Sequence, residues 1–133
     1  MIIPFERRDE DSLVVVNAQL DRIQIFMAVD TGASHTVLDV NILLIQGYEL
    51  KDAVRSILVE TANGEIEAMI FKIKRMSALG IEKKDIEICA YDFIASRMIK
   101  DFDGLLGLDF YGDRKICFDF VECLVSLEAK RVG

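Results

Sequence analysis

The segment Ile23-Gln24-Ile25-Phe26-Met27-Ala28-Val29 constrains the chain most. Ile23, Ile25, Met27 and Val29 alternate with Gln24, Phe26 and Ala28. Successive side chains of a strand point to opposite faces, so this period of two predicts a strand with one buried face. The strand runs with no linker into Asp30-Thr31-Gly32. An acid at the end of an apolar strand, followed by a tight glycine turn, is held rigidly among backbone N–H donors. Leu13 to Leu20 reads as the preceding strand, and Asp21-Arg22 as the hairpin turn between the two.

The rest of the chain continues in the same idiom. Asp39 is placed to cap a short helix from Val40 to Gln46, with Gly47 as the left-handed residue that ends it. Ile57 to Ala62 reads as a strand, Asn63-Gly64 as the centre of a type I′ turn, and Glu65 to Met76 as the return. Gly80 marks a further turn, and Asp85 to Tyr91 alternates again. Ala95 to Lys100 is ambiguous in its pattern. Leu105-Leu106-Gly107-Leu108 is a short buried run, Leu108 to Tyr111 one helical turn ending near Gly112, and Ile116 to Leu127 the last strand material. Val and Ile together number 27, and β-branched side chains pack well on pleated surfaces. The expected class is therefore mainly β with one or two short helices. At 133 residues, against roughly 150 per domain, one domain over 1–133 is expected.

Charge and composition narrow the function classes. The net charge is −7, and no Lys/Arg cluster is longer than two residues, which argues against a nucleic-acid phosphate backbone as partner. No apolar run approaches the roughly 18 residues a membrane helix needs. Met1 to Glu10 has no apolar core of the signal-peptide kind, so none is expected. Cys89, Cys117 and Cys123 are an odd, scattered set, best read as reduced thiols packing as small apolar residues in a cytoplasmic protein. With one histidine they make no zinc spacing, and neither metal nor cofactor is expected. Lys83-Lys84 reads as a solvated turn.

Taken alone, Asp30-Thr31-Gly32 reads as a capped turn in which Asp30 satisfies local N–H groups. Three elements in order change that reading. Ala28-Val29 precedes Asp30-Thr31-Gly32-Ala33-Ser34; Thr61-Ala62-Asn63-Gly64-Glu65 stands downstream as a hairpin tip; Leu105-Leu106-Gly107 leads into Leu108-Asp109-Phe110-Tyr111. Across most of its length the chain resembles the retropepsin-like aspartic peptidases, the single-domain relatives of retroviral proteases. The resemblance implies a closed β-barrel of the acid-protease fold, a single lobe, and aspartic endopeptidase activity. In that chemistry two carboxylates face one water: an ionised Asp takes its proton while a protonated Asp donates to the substrate carbonyl.

One chain holds one Asp-Thr-Gly, since Asp103-Gly104 lacks the intervening residue, so the resemblance implies a homodimer with Asp30 of each subunit at a two-fold axis. It implies that Thr31 hydrogen-bonds across that axis and that Gly32 lets the backbone approach the carboxylates. Ala33 and Ser34 support the loop, and Ala33 lacks the hydroxyl a Ser would offer the acid. Ala62, Asn63 and Gly64 form a flap over an extended peptide, and Leu105, Leu106 and Gly107 carry the loop from beneath and wall the cleft. The flap lacks the double glycine of viral enzymes, and His35 stands where smaller residues are usual. Asp109 matches acids common at that place in cellular relatives. Ile2 to Phe5 and Leu124 to Leu127 are candidates for pairing across a dimer, as in retroviral enzymes. Two rival readings remain at the level of sequence: a weakly active or inactive dimerisation or peptide-docking module, and a structural part of a larger assembly.

Overall fold

A computed structural model describes residues 1–7, 13–61, 64–93 and 102–128. Ten strands lie among these residues: β1 (Ile2–Pro4), β2 (Val14–Leu20), β3 (Ile23–Val29), β4 (Val37–Asp39), β5 (Arg55–Thr61), β6 (Gly64–Ala78), β7 (Ile81–Tyr91), β8 (Gly104–Leu106), β9 (Lys115–Asp119) and β10 (Leu124–Glu128). Two short helices, α1 (Val40–Ile45) and α2 (Leu108–Tyr111), complete the set with a 3-10 turn at Leu50–Asp52. None of the helices is long and apolar enough to cross a membrane.

β2 and β3 pair from Val14↔Val29 to Leu20↔Ile23, which leaves Asp21 and Arg22 as the expected two-residue loop. Strands then neighbour one another in the order β2-β3-β8-β4-β7-β6. β6 returns to β2 through Ala18↔Ala78, Gln19↔Ser77 and Leu20↔Met76, and this closes six strands into a barrel. Closure removes the exposed edges that an open sheet of this size would carry. β5 pairs with β6 outside the ring. β8 sits between two strands of opposite sense, parallel to β3 and antiparallel to β4.

Leu20, Ile25, Met27, Leu38, Leu43, Phe71, Ile73, Met76 and Leu106 are fully or almost fully buried and fill the barrel. Each such side chain contributes roughly 1.5–3 kcal/mol when removed from water. A second cluster, Val37, Val59, Ala68, Ile70, Cys89 and Phe93, lies beneath the β5–β6 hairpin. Burial, with the charge of Asp109 adding to it, pushes the Cys89 thiol up to about 11. It therefore behaves as a small apolar residue there.

Several expectations are corrected in detail. Asp39 does cap α1, accepting from the Asn41 N–H at 3.2 Å, and Gly47 follows at a φ of 99°. The proposed Asn63-Gly64 turn centre is displaced, because Thr61 pairs with Gly64 and Gly64 opens the return strand. β5 starts at Arg55, β6 extends to Ala78 and β7 starts at Ile81, so these strands are longer than their alternation suggests. Leu79 and Gly80, both at positive φ, form the two-residue turn between β6 and β7. The stretch from Ile116 to Leu127 is two strands, β9 and β10, folded back on each other. The two terminal segments pair with each other in the chain, as Ile2↔Ser126, Ile3↔Val125 and Pro4↔Leu124. They form a separate three-stranded sheet, β1-β10-β9, on which Phe5 packs edge-on against Phe118 and Phe120. Ala95 to Lys100 lies outside the described residues.

One cross-strand pair works against the hairpin that carries it. Glu60 and Glu65 oppose each other directly, both exposed, on the face away from Val59 and Ala68. Neither forms a salt bridge among the described residues. Like charges in this position destabilise by roughly 0.2–1 kcal/mol. Glu65→Lys is expected to raise the melting temperature by about 1–4 °C at low ionic strength, with the gain shrinking in high salt. A melting temperature at or below the parent's in a low-salt thermal scan would contradict this.

Candidate functional site

Asp30 stands at the C-terminal end of β3, where the β3–β8 ladder ends at Val29↔Leu106. Its N–H continues the ladder by donating to the Leu106 carbonyl at 3.0 Å. Its carboxylate Oδ1 accepts from the Gly32 N–H at 2.9 Å, and its carbonyl accepts from the Ala33 N–H at 3.1 Å. A four-residue turn is thus closed twice, once through the backbone and once through the acid. Asp30 is only 5 % exposed. A buried carboxylate is costly unless hydrogen-bonded, so the turn and the acid depend on each other.

Two further bonds fix the loop to its surroundings. The Ser34 N–H donates to the Glu60 carbonyl at 3.0 Å, which ties the loop to β5. The Leu108 N–H donates to the Ala33 carbonyl at 2.9 Å, which ties it to the start of α2. Gly107 makes that close approach possible. A Cβ there would lie 2.5 Å from the backbone carbon and oxygen of His35 and 2.9 Å from the Ala33 oxygen. His35 itself meets the Ser34 hydroxyl at 2.9 Å through Nδ1.

Beneath the loop lies a contact that sequence reasoning missed. Thr36 is 1 % exposed, and its N–H and hydroxyl both donate to Asp109 Oδ1, at 2.8 and 2.7 Å. The same hydroxyl accepts from the Gly107 N–H at 3.2 Å. One threonine thus joins the end of the Asp30 loop to both the glycine and the acid of the later motif. A threonine before a short strand has no distinctive sequence signal, and its partner is 73 positions away. Asp109 stood out in the sequence, but nothing there identified what it holds.

The structure brings Asp30, Gly32, Ala33, Ser34, Leu106 and Gly107 together: Asp30 is hydrogen-bonded to Gly32, Ala33 and Leu106, Ser34 ties the loop to Glu60, and Gly107 passes close to the Ala33 carbonyl. Leu105 is buried next to them, paired with Ala28 on one side and Val37 on the other. Thr31 and Gly32 are exposed at the tip of the loop. Of the proposed flap, Gly64 opens β6 at a φ of 102°, while Ala62 and Asn63 lie outside the described residues. Asp103 is elsewhere: its N–H donates to the Phe26 carbonyl and its carboxylate accepts from the Phe26 N–H. That places it beside the middle of β3, just before β8 begins, and not beside Asp30.

This arrangement defines a class: a six-stranded barrel in which a buried aspartate ends one strand and an apolar-apolar-glycine segment braces it. A sequence profile of the family described as "gag-polyprotein putative aspartyl protease" matches residues 16–112. The chain belongs to this retropepsin-like aspartyl protease family. Among solved structures, a retropepsin-like aspartic protease from Rickettsia conorii superposes with a TM-score of 0.63 at 24 % identity, covering 96 % of this chain and 88 % of that one. That likeness is one of fold. No protein of curated function matches the chain significantly.

Removing the Thr36 hydroxyl leaves the buried Gly107 N–H without its acceptor and takes one donor from Asp109. Thr36→Val, nearly the same shape, is expected to cost about 1–3 kcal/mol in denaturant unfolding. Parental stability in this variant would mean the bridge contributes nothing.

Proposed function

We propose that this chain is an aspartic endopeptidase that works as a homodimer, the two Asp30 carboxylates meeting at the two-fold axis around one water. The observation that carries the reading is the buried Asp30, with one carboxylate oxygen held by the Gly32 N–H and the loop braced from three sides. Family membership supports the same chemistry. One chain supplies one such aspartate, so a pair needs a second copy.

In the pair, close carboxylates share a single proton, because two negative charges about 3 Å apart are not held together. The ionised Asp30 removes a proton from the water, and the protonated one donates to the carbonyl oxygen of the scissile bond. Thr31, exposed at the loop tip, is the residue we assign to bracing the partner loop across the axis. The β5–β6 hairpin, tipped by Ala62, Asn63 and Gly64, is assigned to closing over an extended peptide, which it would hold by backbone hydrogen bonds. The bond from the Ser34 N–H to Glu60 supports this assignment, since it joins hairpin and loop directly. We place the dimer contact around the Asp30 loops, since the shared site needs both aspartates there. The three free thiols support a reducing, cytoplasmic setting.

A mixed peptide library incubated at high protein concentration from about pH 4 to 7 tests the reading. Wild type is expected to cleave with a bell-shaped pH profile, the sign of a dyad that needs one proton. Asp30→Asn is expected to lose three orders of magnitude or more. Specific activity is expected to fall on dilution as dimers dissociate. Equal cleavage by the two proteins would contradict the mechanism. A stable dimer that cleaves nothing would move the assignment to a peptide-docking module.

A further inference from the structure

We propose that β9 is a docking edge for a second copy of this chain, the two strands pairing antiparallel about a two-fold axis at Cys117. The inference rests on the homodimer reading for its role and adds to it a contact outside the Asp30 loop. β9 is the outer strand of the sheet β1-β10-β9, and among the described residues no strand lies on its other side. Such an edge carries unpaired N–H and C=O groups and is a template for another strand.

The phase of the ladder shows which groups are unpaired. The Met1 ammonium donates to the Leu127 carbonyl at 3.1 Å, and the Leu127 N–H donates to the Met1 carbonyl at 3.0 Å. The Phe5 N–H donates to the Cys123 carbonyl at 3.0 Å. Main-chain groups alternate in direction along a strand, so those of Cys123, Val125 and Leu127 face β1 and those of Leu124, Ser126 and Glu128 face β9. Their partners on β9 are Asp119, Cys117 and Lys115. The N–H and C=O of Ile116 and Phe118 therefore point outward.

The sequence of β9 complements itself when reversed. Lys115-Ile116-Cys117-Phe118-Asp119 runs cation, apolar, thiol, apolar, anion. With Cys117 on the axis, Ile116 of each copy faces Phe118 of the other, and their outward main-chain groups meet. The same register sets Lys115 of each copy against Asp119 of the other, and directly facing opposite charges stabilise a strand pair. A slip of one residue sets outward groups against inward ones, and a slip of two separates Lys115 from Asp119. Lys115, Cys117 and Asp119 share the exposed face, while Ile116 and Phe118 are half-buried against the barrel core. Lys115 meets Glu128 of its own chain at 3.5 Å in an exposed pair, and an ammonium has donors for a second carboxylate. Asp119 Oδ1 accepts from the N–H groups of Val121 and Glu122 at 2.9 and 3.0 Å, which fixes the acid at the strand end. A self-complementary contact of this kind closes as a pair.

Cys117 reports the register. Facing residues at a non-hydrogen-bonded position have Cα atoms about 4.5 Å apart, inside the roughly 4.4–6.8 Å span of disulfides. Diamide, which takes up the two hydrogens of a thiol pair, is expected to convert the native protein to a covalent dimer on a non-reducing gel. Cys117→Ser is expected to abolish the product and Cys123→Ser to leave it. Lys115→Glu and Asp119→Lys are each expected to weaken self-association in sedimentation about tenfold at low ionic strength. An equimolar mixture of the two is expected to recover the parent's affinity, because the acidic strand then faces the basic one. Asp119→Lys also removes the turn's acceptor, so the cross-link, made with Asp119 in place, is the independent test. A native protein that stays monomeric, cross-links without Cys117, or keeps its affinity in both charge variants overturns the proposal. Cross-linking and charge rescue in a protein that cleaves nothing would uphold the edge and fail the peptidase reading. Cleavage by a dimer indifferent to these changes would do the reverse.

Discussion

The parallel ladder between β3 and β8 is the constraint on which the rest of this structure depends. Only three residue pairs make it, from Met27↔Gly104 to Val29↔Leu106. It nonetheless joins segments far apart in the chain and ends at the backbone of Asp30. Without β8, β3 and β4 would have no common neighbour, the barrel would stay open, and the Asp30 turn would project into solvent. With it, the aspartate is buried at the end of a strand whose other face fills the core. Gly107 comes immediately after the ladder and crosses under His35 with no room for a side chain. Thr36 and Asp109 then close the space between the two segments.

The site is built almost entirely from backbone donors and acceptors. Asp30, Ala33, Ser34, Leu106 and Leu108 take part through main-chain groups, and Gly32 supplies an N–H to the acid. Backbone groups on a closed barrel lose little entropy when the site is used, because folding has already ordered them. That suits the proposed reaction, in which two carboxylates are held at fixed separation around a water. It also explains why so short a motif suffices: the proposed dimer needs one acid per chain, and the loop's conformation depends on glycines and on the ladder beneath.

Much of this was legible in the sequence, for identifiable reasons. β3 shows itself by strict alternation from Ile23 to Val29, and Asp30 by its place at the end of that run. Leu105-Leu106-Gly107 is an apolar run closed by a glycine, and its burial follows from composition alone. α1 announces itself through Asp39 and Gly47. Other features have no local signal. β4 is three residues long and is a strand only because β7 and β8 flank it. The break between β9 and β10 carries no glycine, proline or asparagine. Its turn ends with Cys123 in the left-handed region, a conformation its side chain does not advertise. The Thr36–Asp109 bridge and the burial of Tyr111 arise from tertiary packing between distant segments. The intrachain pairing of the termini is of the same kind: Ile2 to Phe5 and Leu124 to Leu127 are strand-forming in any partner's company, and geometry chose β10 of the same chain for β1.

The central claim is that one working site is made from two copies of Asp30. Mixing wild-type chains with Asp30→Asn chains, allowing subunits to exchange, and measuring cleavage against the wild-type fraction tests it most directly. A shared dyad predicts activity that falls as the square of that fraction, since every mixed dimer carries only one aspartate and is inactive. Activity that falls in direct proportion to the fraction would mean each chain works alone, and would contradict the account.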